Sequence, residues 1–589
     1  MSLVVLSACS AGSGDGAPET SSAPSVSEQE CADLARAAAA PLQDFVDEYD
    51  VLMVAEWNAI DPPPDVAPAR DAVAANVRAA IAQGCEPMAV EAGVEAAIGD
   101  LESTGEVGAA IVDALNGVDP TGEPVAQERG TVPTTVTVRP GDDLNEILPT
   151  VAEGSTLELA AGTHEYDTPI VVDVGVRFVG ADRATTTIRS SAEGAGLVFL
   201  GSGGLAVEDL TIEHIGESPA SVMLAIAGPL TVDGVELRGA VAGDTDAGGG
   251  HGLVLAFESL PGFPDLTPEE RAGDLVIDDS SFVDNAAAGV LVRGDAEPSI
   301  SGARVTGNGQ CGICYGGRSG GTVDASTIEE NPIGIQAADD VSLSVADSTI
   351  LGNSEVGVSV EGAADVEVVR TDITRNGEIG AQVSGTSTTR FSENVIDEQA
   401  VGVLATGDVD LVLIGNVIAN GEVGLQVDGR VVLDVHDNRI WASELTGIGT
   451  SGDTTGVVRD NLVEGARVAG IQVAGEASLR VASNSISGPG DVGISFAESS
   501  GGSVDANTVT GRTVGIQVAG SAAPDVTGNI IVDSGVVGLL YIDEASGIAT
   551  GNDISGAGEA SVLLGGTGVP DVGDNELNGG RVVVQPLDE

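Results

Sequence analysis

Lysine is absent from all 589 residues. The 23 basic side chains are all arginine, set against 91 aspartates and glutamates, for a net charge of −68. Without lysine there is no Schiff base, no P-loop phosphate clamp and no lysine general base. A nucleic-acid binder needs a basic face to displace counterions from phosphate, and 23 arginines in so acidic a chain do not make one. Aromatic residues are about 2% of the chain, so stacking platforms for sugars or bases are scarce. The four histidines (164, 214, 251 and 436) are scattered, which gives little support to a metal centre. No run of 18 apolar residues is free of glycine or charge, so no segment reads as a membrane-spanning helix. Disorder throughout is excluded by a hydrophobic content of 42%.

What is present begins with residues 1–27, read as a leader and flexible tether. Leu6-Ser7-Ala8-Cys9 resembles a bacterial lipobox, in which the cysteine is lipidated after cleavage, and a Ser/Gly/Ala/Pro stretch follows it directly. The apolar stretch before it is eight residues long and carries no basic residue. The resemblance implies an exported protein, lipid-anchored to a membrane at the cell surface or in the periplasm. The other four cysteines then divide into Cys31 with Cys85 and Cys311 with Cys314. A Cys31–Cys85 disulfide closes about 55 residues, worth ~4 kcal/mol in the chain-entropy view. Cys311-Gly312-Ile313-Cys314 reads as a small disulfide or two ordinary repeat positions, with a redox pair or soft-metal site as the functional alternative.

Residues 28–117 carry apolar side chains at three- and four-residue spacing and predict a small helical domain. The first helix is expected from Glu28 to about Asn58, before Asp61-Pro62-Pro63-Pro64. Residues 118–133, rich in Gly and Pro, read as a linker. From residue 134 to 589 the periodicity changes to short β-branched runs separated by Gly, Asn, Asp and Ser. Twelve glycines from Gly289 to Gly538 each precede an apolar-x-apolar run and recur at steps of 22 or 23 residues. A row of asparagines keeps the same step from Asn285 to Asn376 and again from Asn394 to Asn575. Between Asn376 and Asn394 lie only 18 residues while the glycine row does not skip, so the asparagines move to a different turn of one coil.

A rung of about 22 residues holds three short strands and three turns. Rungs stacked at ~4.8 Å pair each strand in parallel with its equivalents. Asparagine suits a turn, because it tolerates a left-handed backbone and its amide can bond both neighbours. In Gly-Ile-Gln-Val the Ile and Val point inward and the Gln outward. With these residues, and with the opening segment Gly141-Asp142-Asp143-Leu144-Asn145-Glu146-Ile147-Leu148 as a helix closing the open end, the chain from residue 134 resembles the pectate-lyase-like superfamily. The fold that the resemblance implies is all-β, a right-handed parallel β-helix of about 19 rungs. It implies little about activity, since this fold carries lyases, hydrolases, epimerases, adhesins and metal-handling proteins.

Two insertions break the period, at 242–250 and 260–273, and flank the strand Gly252-Leu253-Val254-Leu255. Loops thrown from one face of a solenoid often build a cleft, although neutral decoration explains them equally. Gly250-His251-Gly252 resembles the Gly-His-Gly of polygalacturonases, which hydrolyse with paired carboxylates. That resemblance makes His251, Asp244, Asp246 and Arg293 candidate catalytic residues. It departs from the pattern elsewhere, because Asp244-Thr245-Asp246 lies on the same rung as the histidine and no Arg-Ile-Lys exists here. A lyase would need calcium held by acids, for which Asp244, Asp246 and Glu258 are available, but acids are everywhere in this chain. The outward row Gln336, Ser359, Gln382, Leu404, Gln426, Gly449, Gln472, Ser495, Gln517, Leu540 carries Gln on every second rung. It reads either as a polar strip for a long neutral polymer or, more simply, as a solvated face left by duplication of a two-rung unit.

The expectation is a tethered, acidic envelope rod that binds a polysaccharide or another envelope component, with no nucleic-acid partner. The alternative is a polysaccharide lyase or glycoside hydrolase with its cleft around residues 244–258. No cofactor is certain, and calcium is the one to test.

Overall fold

The computed structural model describes residues 28–38, 40–49, positions 72, 73, 76, 79, 80, 85, 90, 94 and 97, and 129–585 except 202, 244–248 and 259–265. The chain forms two compact units, 1–129 and 130–589. In the first, the described residues Glu28–Ala38 and Ala40–Tyr49 are helical, within the helix expected from Glu28. Leu42 and Val46 are buried, and a disulfide joins Cys31 to Cys85 with their Cα atoms 5.6 Å apart. Most of 50–117, including the helices expected there, lies outside the described residues, as does Cys9.

The second unit is an all-β parallel solenoid of about 19 turns. Its described strands form three parallel sheets of 19, 17 and 18 strands. In chain order each rung visits the first sheet, the second and the third; one rung runs Ser342–Ala346, Thr349–Leu351, Val356–Val360. Side chains alternate, so Leu343, Val345, Ile350, Val358 and Val360 face a single aliphatic core. The N-terminal end is closed by a short helix, Leu144–Ile147, whose first turn is capped by Asp143 Oδ1 accepting from Asn145 N–H at 2.8 Å. Leu144 and Leu148 enter the core there.

Two buried asparagine ladders run along the coil. Each amide donates to the Oδ1 of the next rung, as Asn331 does to Asn353 at 3.1 Å and Asn438 to Asn461 at 3.0 Å. Its other proton goes to a main-chain carbonyl, as from Asn331 to Val305 at 3.2 Å. The first ladder, Asn285 to Asn376, follows the second-sheet strands, and the second, Asn394 to Asn575, precedes them. The ladders are therefore different turns of one coil, and the second does not start abruptly. Ser326, Ser348 and Thr371 occupy the second column before Asn394 takes it over, and Thr371 N–H donates to Asn394 Oδ1 at 2.9 Å. Asparagine does not itself take the left-handed backbone, contrary to the sequence expectation. The residue before it does: Glu330, Glu393, Asp437 and Asp460 have φ of 58°, 58°, 58° and 55°. The sharp turn is made there, which frees the asparagine to aim its amide along the coil.

The repeating glycine is a matter of space. A Cβ on Gly334 would lie 2.5 Å from the Gly357 carbonyl and 2.9 Å from the Asn353 amide. Any side chain here would push the asparagine ladder away from the third sheet.

Candidate functional site

The strand between the insertions, Leu253–Phe257, sits in the third sheet, with Leu253 opposite Met223 on one side and Val290 on the other. All five of its residues are buried. Leu253, Leu255 and Phe257 belong to the core, while Val254 and Ala256 point outward beside Ile226, Leu224 and Leu291. A run of outward aliphatic side chains on neighbouring rungs needs cover, and Leu266 from the second insertion packs against it. Leu266, in the described part of the insertion, thus covers the outward side chains of this strand. The open space lies to one side, a groove of about 500 Å³ between the end of this strand and the first-sheet strand Leu275–Asp278. Phe257, Pro268, Arg271, Asp274, Asp295 and Glu297 line it.

His251 is 6% exposed. Its Nδ1 accepts from the Ala288 N–H of the next rung at 3.2 Å, so the neutral ring carries its proton on Nε2. Burial, together with the charge of Arg293, pushes its pKa down to about 4. A ring whose lone pair is committed to a main-chain N–H has little to abstract a proton with, and its visible work is to stitch two rungs together. Arg293 lies on the next rung, where it faces outward and pairs with Glu258 at 3.1 Å. Arg293 stands in register with Ala256, while His251 meets Ala288 on that same rung. Asp244 and Asp246 lie outside the described residues.

Cys311 and Cys314 form a disulfide on the outer face of the third sheet, with their Cα atoms 5.9 Å apart, packed with Ala288, Leu291 and Ile333. Both are buried, which leaves their sulfurs poorly placed as a soft-metal pair. Among the described residues no three His, Cys, Asp or Glu side chains converge in a group suited to a metal ion.

Beyond the disulfide two columns on the outer face of the third sheet are neutral, with Glu361 and Asp428 standing beside them. The register aligns Cys314, Gln336, Ser359, Gln382, Leu404 and Gln426 in one column, continuing through Gly449, Gln472, Ser495 and Gln517 to Leu540. Beside it runs a second column, Cys311, Ile333, Val356, Ile379, Val401 and Val423, equally free of charge. The first sheet contrasts with this: its aligned outward column reads Glu367, Arg390, Val412, Asp434, Val457, Arg480. The glutamine row was legible in the sequence. The aliphatic rail beside it was missed, although its signal was there, in the apolar residue that stands just before most of the repeating glycines.

Residues 270–418 and 423–577 match the family described as "right handed beta helix region", together slightly more than half the chain. No curated protein matches the chain. Among solved structures the chain is similar to the catalytic unit of a thermostable GH87 alpha-1,3-glucanase from Streptomyces thermodiastaticus strain HF3-3. The identity is 13%, over 78% of this chain and 71% of that one, with a TM-score of 0.26. It is similar also to a mutant of the periplasmic alginate epimerase AlgG, at 13% identity over 75% of this chain and 83% of that one, TM-score 0.25. A third is a mannuronic acid specific polysaccharide family 6 lyase from human gut microbiota, at 11% identity over 67% and 91%, TM-score 0.27. At these values the likeness concerns the fold alone.

Proposed function

The chain belongs to the right handed beta helix family, and on that footing we propose that it is an exported, lipid-anchored envelope rod that holds a neutral glycan along the outer face of its third sheet. One observation carries this reading. In a protein of net charge −68, two adjacent outward columns run for ten rungs without a charged residue. An acidic surface repels polyuronates and attracts cations. A neutral strip of amides and aliphatic side chains instead suits a polymer of hydroxyls and C–H faces. Cys9 supplies the anchor in this reading.

A second reading, a glycoside hydrolase or lyase, is favoured by the groove beside Phe257, where Asp274, Asp295 and Glu297 gather. Paired carboxylates are what glycoside hydrolysis requires. Of the three, Asp295 is engaged with Arg318 at 2.7 Å.

The test uses the soluble chain from Ala11 onward, with and without calcium, against neutral, acidic and cationic polysaccharides. Binding is read by affinity electrophoresis and cleavage by mass spectrometry of released ends. Retardation by neutral glycans without new ends is the expected result. Retention of polyuronates alone overturns the neutral strip, and release abolished by Asp274→Asn or Glu297→Gln establishes the enzyme.

A further inference from the structure

We infer that the glutamine row takes its polymer two sugars at a time, so that the ligand is a neutral, extended polysaccharide with a two-sugar repeat. This rests on the glycan-binding reading above and sharpens its substrate class. The interior asparagine ladders show what amides do on successive rungs: they bond one another, at 2.9 Å between Asn416 and Asn438 and again between Asn461 and Asn484. The outward row prevents that. Gln336, Gln382, Gln426, Gln472 and Gln517 stand on alternate rungs, with Ser359, Leu404, Gly449 and Ser495 between them.

At ~4.8 Å per rung, neighbouring glutamines are ~10 Å apart, too far for amide to meet amide. No glutamine of the row has an intramolecular side-chain hydrogen bond among the described residues. Gln426 is exposed and the other four are half-buried. Each amide therefore offers a donor and an acceptor, the pair that a sugar hydroxyl can answer.

The half-exposed aliphatic rail of Ile333, Val356, Ile379, Val401 and Val423 gives the C–H face of a sugar a surface to lie on. One rung of ~4.8 Å is close to the length of one extended hexose. In a β-1,4-linked chain successive sugars are turned over, so the same hydroxyl edge returns at every second sugar. That is the spacing at which the amides return.

The experiment is calorimetric titration of the full chain with cello-oligosaccharides from disaccharide to hexasaccharide, with malto-oligosaccharides as the helically twisted counterpart. Affinity is expected to rise in steps, at each added pair of sugars, in the cello series only. Gln426→Ala should weaken hexasaccharide binding about fivefold, the worth of one ordinary hydrogen bond. Glu367→Gln, on the first sheet, should change nothing. Leu404→Gln is the sharpest arm. It completes an amide ladder from Gln382 to Gln426, which then bonds internally, so an added polar group should weaken binding. A smooth rise with every single sugar, equal binding of the malto series, or tighter binding by Leu404→Gln overturns the two-sugar repeat and leaves glycan binding standing. A folded protein that binds none of these oligosaccharides takes the broader reading down as well.

Discussion

His251 is exposed to view in the sequence by its setting, Gly250-His251-Gly252, and taken from view in the structure by burial. The buried ring is held neutral, with its pKa pushed down to about 4, while an unfolded chain protonates it near 6.5. Between those values the unfolded state binds the proton and the folded state does not, so this ring costs stability as pH falls from about 6.5 to 4. The full shift is worth up to about 3 kcal/mol. Asn can still accept from Ala288 N–H, so His251→Asn isolates the titration from the stitch. In urea unfolding at pH 7, 5.5 and 4.5, the variant should gain on the parent as pH falls. A constant gap between the two would mean that the ring is protonated without penalty in the fold. Arg512 is the residue-scale feature that sequence reading passed over. It is 1% exposed, donates to the carbonyls of Ala466 and Ser487, and occupies the column that the first asparagine ladder vacated. Burial lowers its pKa. Its signal was the unbroken step of 22 or 23 residues from Gln399 through Ser443 to Arg512, visible only if residue type is ignored.

At the scale of the element, the ladders are what make a turn into a repeat. Asn438 donates to Asn461 at 3.0 Å and to the Leu413 carbonyl at 2.8 Å. It also accepts from the Asn416 main-chain N–H and side-chain amide, both at 2.9 Å. Removing it orphans several buried groups at once, at ~1–3 kcal/mol for each orphaned group. Asn575 ends the same ladder and is only half-buried, so water can take its place. Asn438→Ala should therefore cost about 3 kcal/mol or more by denaturant unfolding, and Asn575→Ala well under half of that. Equal costs would mean that the asparagines act singly. Sequence reading found the ladder and its jump from one turn to another, because a conserved step survives a change of turn. It misplaced the left-handed residue, because the strain of a turn is shared by two neighbours and only coordinates divide it.

For the molecule as a whole, charge is the feature that stands out. Arginines span rungs to reach acids, as Arg439 does to Glu464 at 3.0 Å and Arg480 to Asp505 at 2.8 Å. These pairs are exposed, and each is worth little. With 91 acids against 23 arginines, most carboxylates have no arginine to pair with. The solenoid keeps them on its outer faces, where salt screens them. Raising NaCl from ~0.01 to ~1 M shortens the screening length from ~30 to ~3 Å and should raise the melting temperature by several degrees. A melting temperature that stays level or falls would show that the pairs outweigh the repulsion.

The period of 22 or 23 residues and the inward alternation of aliphatic side chains determined the coil by themselves, because a parallel stack repeats any local choice at every rung. The glutamine row followed from the same regularity, and the closing helix at Leu144 from the resemblance of the entry segment. Where the repeat is broken, at His251 and the two insertions, local pattern says only that something differs. That Leu266 covers Val254 and Ala256, and that an open groove lies beside Phe257, depend on which rungs meet across the stack. Those contacts join residues tens of positions apart, and only the tertiary structure decides them.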